Sequence, residues 1–101
     1  MESALRLVIL EAGLPAPQVN VPVHDGDGGW LARPDLSYPQ WRIALEYQGD
    51  HHRTDRRQWQ VDIRRIRTLQ EHDWIVLLGS ANDLERPASL LRALRGAICG
   101  R

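Results

Sequence analysis

The chain has no lysine and no phenylalanine, a single cysteine and no long apolar run. Each absence removes a class of function. Without a lysine side chain there is neither Schiff-base chemistry nor a Walker-type phosphate loop. Cys99 alone cannot form an internal disulfide. No stretch approaches the roughly 18 to 20 apolar residues of a membrane helix, and the opening MESALRLVILEAG has no basic leader. The expectation is a cytosolic protein with no membrane partner. Net charge is missing too: 13 acidic residues balance 13 basic ones, so overall charge points to neither nucleic acid nor lipid.

What is present is unevenly spread. All 13 basic residues are arginine, and six of them (Arg53, Arg56, Arg57, Arg64, Arg65, Arg67) fall within 53–67, where Asp55 and Asp62 are the only acids. A guanidinium fork grips phosphate through two bonds, so the cluster suits a phosphate partner. A guanine- and cytosine-rich genome would produce the same substitution of arginine for lysine, and both causes stand. At 101 residues the chain fits one domain, 1–101, with a single core.

Apolar periodicity predicts an α/β fold. Leu5, Val8, Ile9 and Ala12 recur at helical spacing and Gly13 ends the run. Val19, Val21 and Val23 alternate, HDGDGG is a turn, and a second strand running roughly from Trp30 to Ser37, interrupted by Pro34, completes a hairpin. After the turn SYPQW, RIALEYQ is a third strand with Ile43, Leu45 and Tyr47 on one face and Ala44, Glu46 and Gln48 on the other. A long helix is expected from the N-cap Thr54 to about His72, with Trp59, Ile63, Ile66 and Leu69 along one stripe. WIVLLG reads as a buried strand, SAND as a loop, and PASLLRALRGAIC as a last helix with Pro87 in its first turn. The order α-β-β-β-α-β-α predicts a mixed four-stranded sheet flanked by helices.

The chemistry concentrates on strands two and three. Arg33, Asp35 and Ser37 share one face of the second strand, and only three residues separate Tyr38 from Arg42, so the two strands pair as antiparallel neighbours. Asp35 and Glu46 then stand side by side. Two adjacent carboxylates resist joint ionisation unless a divalent cation lies between them, and oxygen donors suit magnesium, manganese or calcium. The competing reading is an open, solvated sheet face bearing two ordinary acids.

This arrangement, with RPD on strand two and E-x-Q on strand three, resembles the PD-(D/E)xK, restriction-endonuclease-like superfamily. More closely, ALEYQGDHH followed by DIRRIRTL and WIVLLGS looks like a family of small nuclease-like domains related to very short patch repair endonucleases. The resemblance runs from Glu2 to the last helix. It implies a metal-dependent nuclease acting on nucleic acid, with DNA the favoured polymer, magnesium or manganese as cofactor, and in longer natural chains an N-terminal DNA-binding segment. It implies Asp35, Glu46 and the backbone carbonyl of Tyr47 as metal ligands, with Glu2 reaching the metal through water. His52 matches a histidine beyond the acidic element, and Asp62, Arg65 and Leu69 match positions on the long helix.

The chain departs from the pattern at three positions. Gln48 stands in place of the superfamily's lysine, Asp73 where a glycine commonly ends the long helix, and Leu78 where the last strand often has arginine. An amide accepts no proton at neutral pH, so Gln48 can orient water or phosphate but not act as base. That leaves His52 or a metal-bound hydroxide as the base, and a purely structural His52 is an equal alternative. Asp62 and Arg65 are either an exposed pair worth about 0.2 to 0.5 kcal/mol or a buried pair supporting the site. Arg56, Arg57, Arg64 and Arg65 are the candidate nucleic-acid contacts, with Arg67 on the same solvated face, and Trp41 is the candidate for base stacking. A catalytically inactive binding or regulatory module of the same fold is the alternative function.

Overall fold

A computed structural model describes residues 2–48 and 56–101, except the side chains of Glu2, Ser3, Gln58 and Trp59. The predicted Thr54 cap, together with Asp55, His51 and His52, lies outside the described residues. Helix α1 spans Glu2–Glu11, and Gly13, at φ +81°, ends the helical run as expected. Short strands β1 (Gln18–Val19), β2 (Val23–His24), β3 (Trp30–Ala32) and β4 (Leu36–Tyr38) follow, then β5 (Ile43–Tyr47), α2 (Arg56–Glu71), β6 (Ile75–Gly79), α3 (Ala81–Glu85) and α4 (Ala88–Cys99).

The result is a mixed α/β architecture whose four-stranded sheet runs in the order β1-β4-β5-β6, with β2 and β3 as a separate two-stranded ribbon. β5 pairs antiparallel with β4 and parallel with β6, the crossover being made by α2. The expected first hairpin exists but is broken in both arms. β1 pairs with β4 and β2 with β3, because Asn20 adopts φ +58° and Pro34 has no N–H to give to a ladder. Val19 and Val21 are therefore exposed rather than lined up with buried Val23. The expected SAND loop is also corrected: it is the start of α3, where the Ser80 N–H donates to the Asp83 carboxylate at 2.8 Å.

Two apolar clusters lie on opposite faces of the sheet. One joins Leu5 and Ile9 of α1 to Leu36, Tyr38, Ile43, Leu45, Leu90 and Leu94. The other gathers Val23, Leu31 and Ala32 of the ribbon with Ala44, Leu69 and Trp74. On the first face the Tyr38 hydroxyl donates to the Pro15 carbonyl at 2.7 Å, and burial pushes its pKa up to about 12. α2 ends in a left-handed turn at Asp73 (φ +69°), a conformation that favours the glycine expected there. The exposed Asp73 carboxylate meets Arg42 at 3.7 Å and Arg101 at 3.5 Å.

Among the described side chains of α2, Asp62 and Leu69 are buried, and Ile63, Arg65 and Ile66 are partly covered. The spacing 62, 65, 66, 69 is still one helix face, with a carboxylate and a guanidinium occupying half of it.

Candidate metal centre

Strand alternation sets the geometry. The pairing of Leu36 with Leu45 and Ser37 with Ala44 places Asp35 and Glu46 at the open end of the β4–β5 hairpin, away from its turn. Asp35 is held from both sides. Its carbonyl accepts from the Asn20 N–H at 2.9 Å, and its carboxylate accepts from the Tyr47 N–H at 2.7 Å. Asp35 is thus tied to the β5 backbone at the residue that follows Glu46.

Glu46 is only 2% exposed. Its carboxyl pKa is pushed up to about 7, first by burial, with the charges of Asp35 and Asp62 adding to the rise and Arg65 opposing it. Arg65 reaches across from α2, with Nε 3.2 Å from Glu46 Oε1 and Nη2 3.1 Å from Asp62 Oδ1. The Asp62 contact is a hydrogen bond. The Glu46 contact is not, so Glu46 Oε1 and Arg65 Nε are buried atoms without a hydrogen-bond partner. Of the two readings of Asp62, the buried one holds: the residue is 4% exposed. Arg65 departs from the expected solvated face by turning inward, whereas Arg56, Arg57, Arg64 and Arg67 are exposed.

The other candidates fall as follows. The Gln48 N–H donates to the Gly79 carbonyl at 2.8 Å, fixing the end of β5 against β6. Leu78 pairs in register with Glu46 and is 48% exposed, forming an apolar rim where the resemblance expects arginine. The backbone of Glu2 lies in α1, and its side chain, like His52, is outside the description. Trp41 is misplaced by the sequence reading. It sits in a 3₁₀ turn (Pro39–Trp41) at the opposite end of the hairpin, its ring 5.5 Å from that of Tyr38, so it is part of the core margin and not a base platform beside the acids. Among the described residues, Trp30, at 63% exposure, is the freely presented indole. Sequence reasoning missed two further features. Ser37 buries a hydroxyl without a hydrogen-bond partner on the Ala44–Glu46 face, and a cleft under the ribbon brings together His24, Asp25, Arg42, His72 and Trp74. The alternation Asp35, Ser37 carried the first signal; nothing local carried the second.

Among the described residues no three histidine, cysteine or acidic side chains converge as a metal site. A cation here would rest on two acids, a main-chain oxygen and water. That donor set is all oxygen, as a hard divalent cation requires, and the buried Glu46 oxygen without a hydrogen bond is the kind of atom such an ion satisfies. The residues fit a magnesium-type ion.

The chain is 34% identical over 93 residues to an uncharacterized protein of Mycobacterium tuberculosis, found in two strains. The match takes in 92% of this chain and 34% of the mycobacterial protein, so the chain spans about a third of the length of the curated relatives it matches. No protein-family profile matches, and no solved structure does. No helix among the described residues is long and apolar enough to cross a membrane.

Proposed function

We propose that this chain is a restriction-endonuclease-like domain that hydrolyses phosphodiester bonds in nucleic acid, with DNA as the favoured polymer and magnesium or manganese as cofactor. One observation carries the reading: Glu46, buried on the middle of the sheet, faces Asp35 across the β4–β5 pair and keeps an oxygen without a hydrogen bond. Burying two acids together is costly, and a structural role alone would be served as well by apolar residues. Asp35, Glu46 and the Tyr47 carbonyl would hold the ion, with Glu2 contributing through water. When bound, it would polarise the phosphate and lower the pKa of a water nucleophile.

The chain's own residues do the rest. Gln48, following Glu46 by two positions, orients water or a phosphate oxygen through its amide. His52, which follows the acidic element in the sequence, is the candidate to accept a proton. The exposed arginines of α2 neutralise the backbone on either side of the cleaved bond.

A second reading has its own observation. Arg65 already supplies positive charge to both Glu46 and Asp62, which is what a metal-free binding or regulatory module of this fold would need. The experiment that separates them is incubation of the purified chain with plasmid, single-stranded DNA and RNA in magnesium, manganese or chelator. Cleavage that requires the metal and disappears in Glu46→Gln supports the nuclease. Salt-sensitive binding with no cleavage of any substrate supports the module.

A further inference from the structure

The contacts of Arg65 are unequal, and the inequality has a direction. Its Nη2–H is hydrogen-bonded to Asp62, while its Nε meets Glu46 Oε1 at 3.2 Å without hydrogen-bond geometry. The guanidinium is anchored at one end and only rests against the other. The guanidinium lies between two buried acids, Glu46 and Asp62, with Asp35 beside Glu46.

We propose that Arg65 is the resident counter-ion of the site and gives up Glu46 to a divalent cation while keeping its bond to Asp62. The inference rests on the metal-site reading above. A doubly charged ion at about 2.1 Å attracts the Glu46 carboxylate roughly three times as strongly as a single charge at 3.2 Å in the same surroundings. It also repels the guanidinium. Arg65 has somewhere to go, because a third of its side chain already reaches solvent. Once released, its Nε–H has no carboxylate to face, and a phosphate oxygen is the acceptor that suits a guanidinium. Arrival of the cation and readiness to hold substrate are then one event, tied together by Asp62 as the fixed pivot. Asp62 is a positioning residue in this scheme.

The test is manganese binding by calorimetry at pH 7.5 to wild type and Arg65→Met, with melting temperatures in chelator and in manganese. Removing the competitor should tighten manganese binding about tenfold or more, since an adjacent opposite charge commonly changes a carboxylate's proton affinity by one to three powers of ten. Arg65→Met should also melt below wild type in chelator and recover most of that loss in manganese. Equal affinity in the two proteins overturns the exchange and leaves the metal site standing. Absence of binding in both overturns the exchange together with the site. If Arg65→Met does not fold, wild type decides: the Arg65 Nε–H resonance should move when magnesium saturates the site, and a resonance that stays in place refutes the proposal.

Discussion

Replacing Glu46 by glutamine should stabilise this protein at pH 8 in the absence of metal. The folded-state pKa of Glu46 is raised from 4.5 to about 7, chiefly by burial. Below pH 4.5 the carboxyl is protonated both folded and unfolded, and its neutral form is buried at no electrostatic cost. As pH rises past 4.5 the unfolded chain releases the proton while the folded one keeps it, so stability falls until the folded group also ionises near pH 7. At about 1.4 kcal/mol per pH unit the loss levels off at about 3 kcal/mol. Against the 5 to 15 kcal/mol typical of a domain, that is a large share. Glutamine is neutral throughout and escapes the loss. The assay is urea unfolding of both proteins in chelator from pH 4.5 to 8.5, read as the difference between the two curves. Asp25 acts in the opposite sense, its carboxyl pKa lowered by the Gly29 and Asp27 N–H groups, so it stabilises above the ordinary aspartate range and is lost on acidification. It is common to both proteins and cancels. A difference curve that stays flat from pH 4.5 to 8 would refute the claim that Glu46 is buried at a cost.

Three other outcomes are expected. On one substrate, Glu46→Gln should abolish metal-dependent cleavage while Gln48→Ala lowers the rate on the order of 10²- to 10³-fold, as loss of one transition-state hydrogen bond does; equal losses would give Gln48 a ligand's role. Arg57→Ala combined with Arg64→Ala should reduce the slope of log affinity against log salt by about two, and an unchanged slope would take the exposed face of α2 out of the nucleic-acid interface. Tyr38→Phe should cost about 1 to 1.5 kcal/mol by urea unfolding, through loss of the bond to the Pro15 carbonyl; a neutral result would mean that water replaces the hydroxyl.

The adjacency of Asp35 and Glu46 was readable from sequence because a strand has a period of two and the turn between Tyr38 and Arg42 is too short to allow another register. The same register, followed one step further, places Trp41 at the far end of the hairpin. Helices α1, α2 and α4 were legible from their apolar spacing and from Gly13, and the parallel pairing of β5 with β6 from the helix between them, whereas α3 was not. The contact from Arg65 to Glu46 was not legible, since it depends on how α2 is rolled over the sheet, which the packing of Leu69 against the ribbon cluster helps to set and no local pattern encodes. The strand break at Asn20 was likewise settled by backbone conformation, where propensity is a weak guide, whereas the break at Pro34 was legible from the missing N–H of proline.

The two faces of the central sheet carry different kinds of residue. Leu36, Ile43 and Leu45 look toward α1 and α4 and are constrained by volume, Tyr38 beside them also by its bond to the Pro15 carbonyl, while Glu46 on the same strand as Ile43 and Leu45 looks the other way, toward Asp62 and Arg65. Because adjacent residues along β5 serve opposite faces, a lineage can exchange the polar set, Gln48 for lysine or Leu78 for arginine, without repacking the apolar one. Such a scaffold can drift between cleaving and merely holding its ligand while its fold persists, and a chain like this one is a natural place to look for either state.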